Sequence, residues 1–343
     1  MSKSGSRSGD CVQNDQPSGP RGGAHPHPEA IRIGEHRIAR GERARLEIPA
    51  ARLATGSPVG LPVEVLHGVH PGPRVWLSAA IHGDELNGVE IIRQVLGECS
   101  PRRLSGSLIA VPIVNVFGFI TESRYLPDRR DLNRSFPGSA RGSLAARIAH
   151  IFMKEVVEGC QVGIDLHTGS ADRTNLPQIR ADLDDPETRE LARAFGAPMA
   201  IHSGLRDGSL RAAAGALGAR VLVYEGGEPR RFNRGAIEAG VVGTLRVLAS
   251  LGMRRTTLPP PDPVLESRGT SWVRAGRSGL FRVEVEPGSR VTKGQRIGVI
   301  KDAFGNQALR VKARTNGVVI GLSLQPHVNR GDALVHVAEV AGD

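Results

Sequence analysis

With 343 residues, a net charge of +10 and three cysteines, the chain has material for one large domain or two ordinary ones. Cys11, Cys99 and Cys160 lie far apart with no Cys-x-x-Cys spacing, which argues against a disulfide framework and fits a reducing compartment. Dispersed arginines, 3% aromatics, no apolar run near the roughly 20 residues of a bilayer span and no secretory plan at the start point to a cytoplasmic protein with neither a nucleic-acid nor a membrane partner.

Residues 1–30 are rich in Ser, Gly, Pro and Arg and have almost no apolar content, so they read as a disordered tail. From 31 to 256, strand-like and helix-like segments alternate. Val75–Ile81, Leu108–Val114, Val162–Leu166 and Val221–Tyr224 are short aliphatic runs bounded by turn residues, as buried strands are. Helical patterns fill the intervals at Leu86–Leu96, Ser143–Val157, Pro186–Phe195, Leu210–Leu217 and Ala236–Leu251. Asp185 before Pro186 suits an N-cap followed by proline in the first turn. This alternation predicts an α/β sheet covered on both faces, with functional groups at strand ends.

A proline-rich stretch at 257–264 reads as a linker. Beyond it, from 265 to 343, short strands and glycine turns predict a small all-β domain. Glu286–Gln295 and Pro326–Asp332 look like two copies of one turn, a quasi-repeat resembling biotinyl/lipoyl carrier folds. The hairpin at 302–307 has no lysine, and Lys301 and Lys312 lie outside it, so a cover or assembly role fits better than a carrier.

Two of the apolar runs end in histidine. After Val75–Ile81 comes His82-Gly-Asp-Glu85, and Val162–Leu166 runs into His167. Zinc takes neutral imidazole nitrogen and carboxylate oxygen at about 2 Å, and catalytic sites keep one position open for water. Alone, the first motif reads more readily as a pair of surface polar residues, and His167 as a polar strand end. If adjacent strands bring their ends together, His82, Glu85 and His167 complete a zinc set. Asp165, two residues before His167 and on the same strand face, could accept the far N–H of a ligand histidine, or it could be a cap. Between them, Ser123–Gly138 is a loop with four arginines; Arg124, Asn133 and Arg134 are candidates for a carbonyl oxygen and a substrate carboxylate, and a solvated basic loop is the alternative. Glu225 ends the run Arg220–Tyr224 and is followed by glycines, where a carboxylate could move a proton.

His82-Gly-Asp-Glu85, Asp131-Leu-Asn-Arg134-Ser-Phe-Pro-Gly138, Asp165-Leu-His167 and Tyr224-Glu225-Gly226 stand in the order seen in the succinylglutamate desuccinylase/aspartoacylase family, which this chain resembles over roughly residues 45–340. The resemblance implies a zinc carboxypeptidase-like fold, a mixed sheet flanked by helices, followed by a C-terminal β domain. It implies one Zn2+ per chain on His82, Glu85 and His167, with Glu225 as general base and then acid. Arg124 would polarise the scissile carbonyl, and Asn133 and Arg134 would clamp the carboxylate. The expected substrate is a small N-acylated, carboxylate-bearing molecule. The basic loop Tyr125–Asp131 looks closer to bacterial deacylases that include N-acetyl-diaminobutyrate deacetylases. A further substrate-binding arginine is open among Arg180, Arg206 and Arg230, as are the acyl group and homo-oligomer formation. Cleavage of short peptides and non-catalytic carboxylate binding are the alternative functions.

Overall fold

Continuous apolar runs require cover on both faces, and the computed structural model, which describes Met1 and residues 29–255, 257–306 and 308–340, supplies it. A hairpin, β1 (Ala30–Ile33) and β2 (His36–Ala39), precedes a long antiparallel pair, β3 (Arg43–Arg52) and β4 (Pro58–His67). Then come β5 (His70–Ala79), α1 (Asn87–Glu98), β6 (Ser105–Val111), α2 (Val116–Ile120) and α3 (Leu144–Phe152), which continues as a π-helical turn over Met153–Val157. The series goes on with β7 (Val162–His167), β8 (Arg173–Ala181), α4 (Pro186–Phe195), β9 (Met199–His202), α5 (Leu210–Ala216), β10 (Arg220–Gly227) and α6 (Arg234–Ser250). The expected tail falls outside the described residues, save Met1, Glu29 and Ala30, the last of which opens β1.

The four expected strands form the middle of the sheet in the order β6-β5-β7-β10, all parallel. Antiparallel strands flank them, β4 and β3 beyond β6 and β8 beyond β10, so the sheet is mixed. Period-two alternation divides the core. Val75 and Leu77 face α1, α4 and α6, whereas Trp76 faces α3 and α5. Gly163, opposite Trp76, is required by this packing, because a Cβ there would fall 2.0 Å from the indole ring.

All five expected helices are present, α3 and its π turn together covering Leu144–Val157, with Ser143 as the N-cap. Asp185 caps α4 by accepting from Thr188 N, with Pro186 in the first turn. Unforeseen in the sequence were β1, β2, β3, β4, β8, β9 and α2. On β3, charged residues alternate with half-buried ones and Pro49 sits at a register shift, features that suit an edge strand and obscure it in a hydrophobic pattern.

After 257–264, which carry no helix or strand, come β11 (Leu265–Ser267), β12 (Thr270–Arg274), β13 (Gly279–Val283), β14 (Arg290–Val291), β15 (Arg296–Lys301), β16 (Leu309–Lys312), β17 (Gly317–Ser323), β18 (His327–Val328) and β19 (Ala333–Glu339). The quasi-repeat is visible as the two-residue strands β14 and β18. One four-stranded layer, β16-β15-β13-β18, encloses a separate apolar core with β17 and β19. This region is nevertheless stitched into the main sheet, since β17 pairs with β8 and β11 with β9. No helix among the described residues is long and apolar enough to cross a membrane.

Candidate metal centre and its surroundings

The chain leaves β5 towards α1 and β6 on one side, while β7 lies on the other. The crevice at the carboxyl ends of β5 and β7 is therefore a switch point, where ligand groups collect in open α/β sheets. β5 stops at Ala79, short of the expected Ile81, because Ala80 takes a left-handed φ of 49°. That turn sends His82 across the strand end. Gly83 then lies against α2, where a Cβ would fall 1.9 Å from the Gly118 carbonyl carbon, and its N–H donates to Ser123 O. The glycine of His82-Gly-Asp-Glu85 is what lets the histidine loop and the arginine loop meet.

His82, Glu85 and His167 are buried, and their ligand atoms lie within 4.8 Å of one another. Nδ1 of His82 is 2.8 Å from Glu85 Oε1, and Nδ1 of His167 is 2.8 Å from Glu85 Oε2. Thr168 N also donates to Oε2. Burial alone would raise the Glu85 pKa, but the two histidines outweigh it and hold the carboxyl well below its usual range. Burial disfavours charge on His167 and His82 in turn, yet the surrounding carboxylates raise both. Two imidazoles and a carboxylate that draw positive charge into one buried point are the donor set a divalent cation needs.

Each histidine has a carboxylate behind it. Asp165 Oδ2 lies 2.8 Å from His167 Nε2, and its Oδ1 accepts from the Ser78 hydroxyl at 2.8 Å. Asp131 Oδ1 lies 3.3 Å from His82 Nε2. The Asp165 hydrogen bond orients the His167 ring so that Nδ1 faces inward, whereas Asp131 is a charge neighbour of His82, whose Nε2 makes no hydrogen bond. Asp165→Asn is expected to lower metal affinity about 10- to 100-fold without unfolding the chain. Competition with a chelator measures it, and an unchanged dissociation constant would count against the orienting contact.

Arg124 bonds Asp131 Oδ2 through Nε and Nη2, at 3.2 and 2.8 Å. Its Nη1 is buried without a hydrogen bond and stands 3.6 Å from Glu85 Oε1, which leaves its N–H donors for an incoming oxygen. Burial works against the Asp131 charge, but His82 and Arg124 hold its carboxyl well below the usual range. The sequence reading assigned Asp131 no role. The expected carboxylate pair is less uniform: Asn133 Oδ1 already accepts from Leu210 N at the start of α5, and Arg134 is exposed, with Nη1 on the Asn133 carbonyl.

Glu225 sits on β10 opposite His167 of β7. Its Oε2 accepts from Asn175 Nδ2 at 2.9 Å, and Arg180 Nε stands 3.8 Å from Oε1. Burial raises its pKa, opposed by Arg180. The register shift that follows in β10, between Glu225 and Gly227, is anchored by Asn87 of α1, whose side chain donates to Gly226 O. Of the three open arginines, Arg180 reaches this carboxylate, Arg206 adds positive potential at Arg134, and Arg230 N bonds Asp84 O. Asn175 goes unnoticed in the sequence, because a single amide in an irregular strand carries no pattern, whereas Asp131 stands there only as the first residue of the Asp131–Gly138 motif.

A family model for the succinylglutamate desuccinylase/aspartoacylase catalytic domain matches residues 71–251. N-alpha-acetyl-L-2,4-diaminobutyric acid deacetylase of Halomonas elongata is 29% identical over 287 residues, covering 78% of this chain and 83% of that protein. The crystal structure of a succinylglutamate desuccinylase/aspartoacylase from Rhodobacter sphaeroides has a TM-score of 0.77 at 27% identity, covering 87% of this chain and 96% of that one. The product-bound ectoine utilization protein EutE (DoeB) of Ruegeria pomeroyi shares the fold, with a TM-score of 0.78 at 24% identity over 87% of this chain and 94% of its own.

Proposed function

The chain belongs to the succinylglutamate desuccinylase/aspartoacylase family, and from that premise we propose that it is a zinc-dependent deacylase of N-acyl amino acids or closely related small molecules. The observation that carries the reading is the meeting of His82, Glu85 and His167 at the ends of two adjacent parallel strands, with Glu225 at the end of the next. In this reading residues 31–256 are the hydrolase unit, 257–264 the linker and 265–343 a β unit.

One zinc ion on His82, Glu85 and His167 would supply Lewis-acid polarisation of the amide carbonyl and a water acidic enough to react at neutral pH. Glu225 accepts the proton of the attacking water. Asn175 occupies its Oε2, so Oε1, near Arg180 but without a hydrogen bond from it, is the oxygen left to carry the proton. Arg124 Nη1 donates to the oxyanion as charge develops there, the stage at which a fixed donor matters most. Glu225 then passes the proton to the leaving amine. Arg134, with Asn133 supporting the loop, receives the substrate carboxylate at the mouth of the site.

A panel of acetyl, succinyl and formyl amino acids, with Nα-acetyl-2,4-diaminobutyrate among them, tests the zinc-loaded enzyme against dipeptides. Acyl amino acids should be turned over and dipeptides should not. Preferential dipeptide cleavage would make the chain a carboxypeptidase, and binding without turnover of any substrate would make it a carboxylate-binding protein.

A further inference from the structure

The amide that bonds Glu225 lies against the C-terminal strands. Asn175 lies on β8, between β10 with its Glu225 and β17. Across the β8–β17 ladder its register partner is Gly321. A Cβ on Gly321 would fall 2.8 Å from Asn175 Oδ1, closer than real Cβ contacts come, so the Asn175 amide occupies the space that a side chain at 321 would fill. The row continues outward. Gly321 pairs with His336 of β19, and His336 with Trp272 of β12. The two rings stack at 4.4 Å between centroids and 12° between planes, and the Arg173 guanidinium covers the indole at 4.9 Å. One cross-strand row thus runs from a stacked cluster in the β unit to the carboxylate beside the metal centre.

We propose that the C-terminal β unit positions the base: β17, by carrying glycine at 321, seats Asn175 so that its Nδ2 pins Oε2 of Glu225 and turns Oε1 towards the substrate. The inference rests on Glu225 being the proton-transfer group. Asn175 is then a positioning residue, and Gly321 acts through it. The role differs from that of a carrier or a cover, because the contact is with the reacting carboxylate's own hydrogen-bond partner.

The test uses full-length, metal-loaded enzyme and four variants, Asn175→Ala, Gly321→Ala, their double and Glu225→Gln, with kcat, KM, metal content and melting temperature measured for each. Asn175→Ala should lower kcat by roughly tenfold to a hundredfold, the scale of a misplaced catalytic group, while KM and metal content hold. Gly321→Ala should lower kcat in the same direction, and the double variant should be no slower than Asn175→Ala, since both changes break one contact. A wild-type kcat for Asn175→Ala, beside an inactive Glu225→Gln, overturns the positioning role and leaves the base assignment standing. Full activity in Glu225→Gln removes the base assignment itself. A wild-type kcat for Gly321→Ala, or additive losses in the double, overturns the link to β17. Gly321→Ala is the milder change, so it decides the matter if Asn175→Ala melts too low to assay.

Discussion

Glu225→Gln should keep the bound metal and lose turnover by about 10²- to 10⁴-fold, the range that general acid–base catalysis supplies. The substitution changes almost nothing but charge. Glutamine has the same length and can still present an oxygen to Asn175 Nδ2, so the 2.9 Å contact that fixes the side chain survives. The three residues proposed to hold the metal are on other strand ends and keep their mutual contacts at Glu85. What disappears is the group that takes a proton from water and returns it to nitrogen. KM should change little, because the amide neither adds nor removes a contact to the substrate carboxylate. Steady-state kinetics with elemental analysis checks both halves. Unchanged activity would mean that another group moves the proton, and lost metal would mean that Glu225 belongs to the metal set.

The parts of this centre that were legible in the sequence share one property: each ends an apolar run. His167 closes β7, His82 follows shortly after the end of β5 and Glu225 lies near the end of β10, and strand ends of a parallel sheet meet in space by construction. Asp165 was legible as well, because the period of two places it on the face of His167. Asn175 was not, and Asp131 was legible as part of a motif but not in its role. Asp131 lies in a loop with no period, and its meaning comes from facing His82 and Arg124 together. The role of Asn175 depends on β8 lying antiparallel beside β10, a pairing set by long-range topology and not by any local run. For the same reason the β unit looked like an appendage in the sequence. The short strands and turns were readable, but the β17–β8 ladder that ties them to the centre was not.

His82→Ala should abolish stoichiometric metal binding, and with it the activity. Glu85 is 2% exposed, and its two oxygens are matched to two imidazoles. Removing His82 leaves Oε1 facing Arg124 Nη1 at 3.6 Å, a guanidinium that cannot serve as a metal ligand. A metal that binds only the folded chain raises its melting temperature by mass action, so the wild type should be stabilised by added zinc and the variant should not. The pH dependence has a definite sign. In the metal-free chain, carboxylates raise the pKa of both histidines above the ordinary 6.5, so their contribution to stability is complete below that value and is lost as pH rises through the raised pKa values. The depressed Glu85 pKa acts the other way, contributing above the ordinary 4.5 and lost as pH falls through its lowered value. A divalent ion must displace the protons on the imidazoles, so zinc stabilisation of the wild type should be greater at pH 8 than at pH 6, because the proton competes less as pH rises. Thermal melts at the two pH values, with and without zinc, measure this difference for both proteins. A His82→Ala variant that retains one zinc per chain, or a wild type whose zinc stabilisation falls with pH, would show that the ion is held elsewhere.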